Sequence, residues 1–478
     1  MRSSYARSTW LFARLVGVTS LGAFVSAHAQ LHGLFGEAGI LPLAPRLARV
    51  QAAMGDDVWW TRPTLLLSTG ASDDALSALC VVGELASLML ALGVLPGPSA
   101  VVAALGYVSI VNVGAPFFPL QWDTLLIETL WLTALVAPWR TVLATPARAS
   151  EPPHVARWAL WLLVARLMLA SGIVKWVGDE VWRDLSALSF HYETQPLPSP
   201  LSPWMHAGPR WTHTLGAIVT FVIELALPFF VIAGRRARHV AAAGFLLLQG
   251  LIAITGNYGF FNLLAIALCV PLLDDAVIDR VLPARWRAPG VAAARPWQVV
   301  APSAIASLLI VLQIAQFASS LGAPVRDEIA TMMERSHAIW ATSSYGLFAD
   351  MTTERPELVI EGSVDGETWV AYDFRYKPGD DLAEGLPITL THMPRVDWML
   401  WFAALTGPEG APWVRALQIA LLERRAPVLA LLERDPFDGA APRFVRVIEW
   451  DYELAPPGGD ATWTRSRPRP WGRVVRAR

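Results

Sequence analysis

The sequence predicts an α-helical polytopic membrane bundle of about nine spans that carries a C-terminal extramembrane α+β, β-rich domain, and three observations predict it. Charged residues make up 16% of the 478 positions and hydrophobic ones 54%, with a mean hydropathy of +0.41; a soluble globular domain carries about 25% charged residues. Before residue 321 the apolar residues gather into runs, most of them near the ~20 residues a helix needs to cross hydrocarbon. After residue 321 the pattern changes to two-residue alternation broken by turn residues, which marks strands. The net charge is −2, and no basic tract or base-stacking motif is present, so nucleic acid is set aside as a partner.

The first run, 10–29, follows Arg2 and Arg7 and ends in Ser-Ala-His-Ala, so a cleaved signal peptide competes with a retained helix. Arg14 interrupts the run and an ordered-looking loop, LHGLFGEAGILPL, follows it, which favours the retained helix. Eight more runs lie near 76–94, 99–118, 124–139, 158–176, 213–233, 239–255, 259–273 and 299–320; those at 124–139 and 259–273 are short enough to be re-entrant. Trp122, Trp131, Trp139, Trp158, Trp161, Trp176, Trp204 and Trp211 fall at or near the ends of runs, where an interfacial aromatic belt places them.

Alternating the crossings from a cytoplasmic N-terminus puts Arg140, Arg148, Arg157, Arg235, Arg236, Arg238, Arg280, Arg285, Arg287 and Arg295 in inside loops, as the positive-inside bias requires. Residues 31–73, 119–123, 177–212, 256–258 and everything after 321 then lie outside. Lysine occurs only at 175 and 377, an arginine bias that fits a GC-rich genome and a bacterial inner membrane. Cys80 and Cys269 each sit inside an apolar run with no CxxC, which argues against thiol redox chemistry and structural zinc. We expect a transmembrane domain at 1–320, an outer-face domain at 321–464 and a mobile basic tail at 465–478. In the outer domain, 357–376 reads as a hairpin about Val364-Asp365-Gly366 and 443–454 as another strand. The stretches 397–405 and 412–425 have helical spacing suited to lying on the membrane surface.

Ionisable groups within the apolar runs are Arg14, Glu84, Asp123, Glu128, Arg166, Lys175 and Glu224. Such groups are costly in hydrocarbon, so they pair or face a cavity. Two readings follow: structural pairing, for example Glu128 with Arg166, or a polar cavity open to the outer face. Lys175 comes nine residues after Arg166, which places the two on opposite sides of one helix. It either snorkels to the interface beside Trp176 or is a desolvated lysine acting as a base.

In the loop after it, His191, Glu193 and Gln195 alternate and, in an extended backbone, point to one side. Tyr192, Trp204 and His206 flank them, and Leu197-Pro198-Ser199-Pro200 stiffens the segment. Two imidazoles and one carboxylate at no recognised spacing do not make a metal site, and no metal is expected. Asn257 and Tyr258 lie in a tight outer turn, Gly256 to Asn262. Arg395-x-Asp397-Trp398 reads as an ion pair anchoring a surface helix, or as part of a docking surface.

Taken in order, GLFGEAGILP (33–42), FFPLQWDTLLIE (117–128), ALSFHYETQPLPSPLSPWMH (187–206), GNYGFFNLL (256–264), the long motif at 345–380 and THMPRVDWMLWFAAL (391–405) resemble the lipase maturation factor family. Animal members of that family help secreted lipases fold and assemble in the endoplasmic reticulum. The resemblance implies a chaperone-like membrane maturation factor without cofactor, whose outer face holds a secreted, lipase-like client. Binding would fall to His191, Tyr192, Glu193, Gln195, Trp204, His206, Asn257, Tyr258, Arg395, Asp397 and Trp398. Any influence on lumenal thiol chemistry does not carry over, because the chain has no cysteine pair. A shorter resemblance, Gly172-x-x-Lys175 followed by Trp182, is to the membrane domain of vitamin K-dependent carboxylases. It implies the alternative of an integral-membrane enzyme on a lipid-soluble substrate, with Lys175 as base and His191 or Glu193 assisting.

Overall fold

The computed structural model describes residues 4–143, 150–284, 296–437 and 439–477. Arg2, Arg148, Arg285, Arg287 and Arg295, among the cations used to orient the chain, lie outside the described residues. Helices in chain order are α1 (Ala6–Phe35), α2 (Leu43–Met54), α3 (Asp73–Leu92), α4 (Pro96–Val111), α5 (Gln121–Val136), α6 (His154–Gly178), α7 (Leu188–Thr194), α8 (Ser202–His206), α9 (Arg210–Phe230), α10 (Arg235–Thr255), α11 (Phe261–Leu272), α12 (Trp297–Ser320), α13 (Asp327–Ala338), α14 (Arg395–Gly410) and α15 (Trp413–Leu422). Six of these, α1, α3, α6, α9, α10 and α12, are long and apolar enough to cross a membrane. The runs expected at 99–118, 124–139 and 259–273 form the shorter helices α4, α5 and α11. Sixteen residues rise about 24 Å, short of the ~30 Å of hydrocarbon.

Position explains the difference in length. α5 is buried on almost every side, Asp123 and Glu128 included, and packs among α1, α4, α6 and α12 as a central helix must. The long helices α9, α10 and α12 instead turn Ile218, Val222, Leu247, Leu251, Leu308 and Val311 outward. α1 lies closest to α3: Gly17 faces the Ala91 backbone, Gly83 faces the Phe24 ring, and Ser20 donates to Ser87 at 2.6 Å. Small residues at such crossings let helices approach without an intervening side chain.

The C-terminal region is an antiparallel sheet of β1 (Arg355–Ser363), β2 (Val370–Tyr372), β3 (Phe444–Leu454), β4 (Trp463–Pro470) and β5 (Val475–Arg476), in the order β2-β1-β3-β4 with β5 also on β3. The expected hairpin is present, with Gly362 opposite Val370, and the second expected strand is β3, with Ile360 opposite Val447. Two expectations change. The stretches 397–405 and 412–425 are helical, but Trp398, Leu400, Ala403, Val414, Leu417 and Leu421 are buried, because the two helices pack against the sheet and, through Trp398, against Trp122 and Tyr258, rather than on a membrane surface. The basic stretch 465–477, expected to be mobile, carries most of β4 and all of β5, both paired with β3. Burial of Trp463, and Arg469 bonding to both Glu449 and Asp451, hold that edge in place. One apolar core runs without a break from α1 to β3.

Candidate functional site

The elbow before α5 contains two cis prolines, Pro116 and Pro119, and Asp123 follows it in the first turn of α5. Arg395, the first residue of α14, reaches this elbow and pairs with Asp123 in a bidentate fork at 2.7 and 2.8 Å. Tyr107 Oη donates to the same carboxylate at 2.9 Å, the Leu120 N–H donates at 2.9 Å, and the guanidinium lies 3.8 Å over the Phe118 ring. All three charged or phenolic side chains are fully buried. The expected Arg395–Asp397 pair does not form, since residues two apart on a helix point away from each other. Asp397 accepts the Tyr376 N–H at 2.9 Å instead, and burial pushes its carboxyl up to about 6. Trp398 is buried edge-to-face against Trp122 and Tyr258.

Residues 188–194 are helical where 191–195 was expected to be extended: His191 and Glu193 lie on α7 and Gln195 caps its end. Three alternating polar residues are too few to separate a period of two from 3.6, and positions 191 and 195 share a helical face as well. Tyr258 Oη donates to Gln195 Oε1 at 2.7 Å and stands 3.4 Å from His191 Nε2, while Gln195 Nε2 donates to Ser202 Oγ and the Thr255 carbonyl. Glu193 points the other way, accepting the Leu454 N–H at 2.8 Å with His206 Nε2 at 3.6 Å. Tyr192 is buried beside His191 and His213. Trp204, on α8, is 60% exposed. Burial, with the Lys175 ammonium nearby, holds His191 down to about 4.

Asn257 joins three segments: Nδ2 donates to the Pro198 and Pro387 carbonyls, and Oδ1 accepts the Thr389 N–H at 3.0 Å. Gln30 of α1 does the same for 393–395, donating to the Met393 carbonyl at 2.9 Å and accepting the Arg395 N–H at 2.7 Å.

Among the intramembrane candidates, Arg166 pairs with Glu128 as expected, and Glu128 also accepts from Tyr345 Oη at 2.6 Å and the Ser343 N–H at 3.1 Å. α6 is unbroken, so Arg166 and Lys175 serve separate sites. Lys175 does not snorkel: it is 3% exposed and bonds both oxygens of Glu224 at 2.8 and 2.9 Å, while its neighbour Trp176 is 51% exposed. The physical reason is a π-helical turn, Val222–Ala226, that carries Glu224 inward toward α6. Glu84 meets His28 Nδ1 at 2.9 Å, and Arg14 donates to the Val142 carbonyl and stacks on Trp10.

The sequence reading missed Arg355, Tyr107, Tyr345 and Phe348. Arg355 is fully buried, donates to the carbonyls of Glu193, Gln195 and Pro196 and stacks under Trp463, so it ties α7 to the sheet. An arginine opening an apolar strand was the available signal. Phe348 contacts His191 and Tyr258, and its carbonyl accepts from Trp182 Nε1 at 2.9 Å.

Two family models match the chain in order: the lipase maturation factor transmembrane domain over residues 7–280, and the lipase maturation factor C-terminal domain over residues 341–477. Among curated proteins the chain is similar to lipase maturation factor 1 of Bos taurus, at 32% identity over 94% of this chain and 85% of that protein. It is also similar to lipase maturation factor 2 of Homo sapiens, at 32% over 95% and 80%, and to lipase maturation factor 1 of Homo sapiens, at 31% over 93% and 83%. No solved structure matches.

Proposed function

Because the chain belongs to the lipase maturation factor family, we propose that it is a multi-pass membrane maturation factor that helps a secreted, lipase-like client fold or assemble on the outer face. The observation that carries this reading is the match of both family models, in order, over nearly the whole chain, to relatives named for lipase maturation. In this reading residues 1–320 are the membrane domain and 321–464 the outer domain. The six long helices with α4, α5 and α11 make nine crossings, N-terminus inside. The arginine-for-lysine bias supports a bacterial inner membrane as host.

The candidate residues divide into two groups by burial. His191, Tyr192, Gln195, Asn257, Tyr258, Arg395, Asp397 and Trp398 are enclosed or nearly so and set the shape of the outer surface. Trp204, rigid and exposed, supplies contact area to a client's apolar patches at small entropic cost. Glu193 and His206 hold Trp204's helix against β3.

In-cell crosslinking and pull-down with a co-expressed secreted lipase tests the proposal, comparing wild type with Trp204→Ala and with the double variant Lys175→Met, Glu224→Leu, which removes the buried pair whole. The lipase is expected with wild type and with the double variant, and at least about tenfold less with Trp204→Ala at equal abundance. Absence of the lipase from the wild-type capture, with its secreted activity unchanged when the protein is deleted, overturns the reading.

A further inference from the structure

Three ion pairs are buried among the helices, and they are not alike. Asp123 accepts from Arg395, Tyr107 and the Leu120 N–H, and Glu128 from Arg166, Tyr345 and the Ser343 N–H. Glu224 accepts from Lys175 alone among the described residues, and the ammonium's further contacts are a long one, 3.4 Å, to the Ser171 carbonyl and one over the Trp182 ring at 5.5 Å. A carboxylate offers about four lone-pair sites and an ammonium three protons. The ammonium's three protons thus have three acceptors, one of them distant, whereas the carboxylate keeps about two of its four sites unfilled, in a place where missing partners are expensive.

The space beside it is not filled by protein. A cavity of about 60 Å³ is lined by the polar side chains of Ser171, Lys175, His191, Thr220, Glu224 and Gln249 and otherwise by apolar ones. That is room for about four water-sized groups. Its wall is one side chain thick: Thr220 and Ile252 line it, while Ile218, Val222 and Leu251, their neighbours on α9 and α10, are exposed on the outside of the bundle. The π-helical turn that delivers Glu224 belongs to a class of distortion found often at functional sites.

We propose that this cavity binds the head of a neutral, hydroxyl-bearing amphiphile from the bilayer. The hydroxyl donates to a Glu224 oxygen and accepts from Lys175 Nζ, and the chain leaves between α9 and α10. The neutrality follows from the pair itself: Lys175 and Glu224 sum to zero, so an anionic head would have to displace Glu224 and a cationic head Lys175. A hydroxyl both donates and accepts: it fills an open site on Glu224 and offers the Lys175 ammonium a nearer acceptor than the Ser171 carbonyl at 3.4 Å. The site is defined by α6, α9 and α10 and does not rest on the client reading.

The test uses the full-length protein in nanodiscs with a hexadecanol analogue bearing a diazirine in its chain, and peptide mapping of the photoadducts. Label is expected to concentrate at 167–175, 218–224 and 248–252, to be displaced by hexadecanol, and to resist palmitate at about tenfold higher concentration. Thr220→Phe, which fills the mouth and leaves the ion pair intact, should reduce the label at least about tenfold while the melting curve is kept. The competition is read on unaltered protein, so it decides the matter even where that variant fails to fold. Label spread evenly over α9, α10 and α12, or palmitate competing as well as hexadecanol, overturns the proposal.

Discussion

A guanidinium and a carboxylate enclosed together, as Arg395 and Asp123 are, cost more to separate than to replace, since a lone buried charge keeps its desolvation penalty without its attraction. Arg395→Met alone is therefore expected to destabilise the protein by about 3–5 kcal/mol, and Arg395→Met with Asp123→Leu by much less, measured by denaturation in detergent. His191 and Asp397 give stability a pH dependence of opposite signs. With its ring held from 6.5 down to about 4, His191 contributes stability that is complete above pH 6.5 and lost as pH falls toward 4. Asp397, raised from 3.8 to about 6, contributes stability that is complete below pH 3.8 and lost as pH rises through 6. Melting temperature against pH should steepen on the acid side in Asp397→Asn and flatten there in His191→Gln. Residue types and loops at this scale were legible in the sequence, as was the pairing of Glu128 with Arg166, but most other partners were not. Lys175 was singled out, yet its carboxylate lies 49 positions away on a turn whose π geometry no apolar pattern reports.

The α1–α3 crossing depends on glycine where a Cβ at position 17 would stand 2.3 Å from the Ala91 backbone nitrogen, an atom that cannot swing aside. Gly17→Val is expected to cost on the order of 3 kcal/mol by forcing the helices apart. Gly250→Val, on α10 with nothing within 4 Å of its Cβ, should leave yield and melting unchanged. Elements with long apolar runs were legible because twenty such residues have few other fates. α7 was not, since seven residues carry too little periodicity, and the polar face it shares with Tyr258 suits either backbone. β4 was not either: TRSRPRP has the composition of a tail, and only the distant Glu449 and Asp451 make it a strand.

Over the whole molecule, the division into a helical and a β-rich part was readable from composition alone, whereas the continuity of their core was not, because it is made by single long-range contacts. Arg395 enters the elbow before α5, Gln30 of α1 holds the 393–395 backbone, and Arg355 caps the carbonyls after α7. None of the three is exposed, so salt that screens surface charges over about 10 Å does not reach them. The covalent link between α12 and β1 is accordingly dispensable as a tether. Chains 1–322 and 323–478, produced separately in one cell, should copurify and stay together in molar salt. The Arg395→Met substitution, not the cut, should be what parts them.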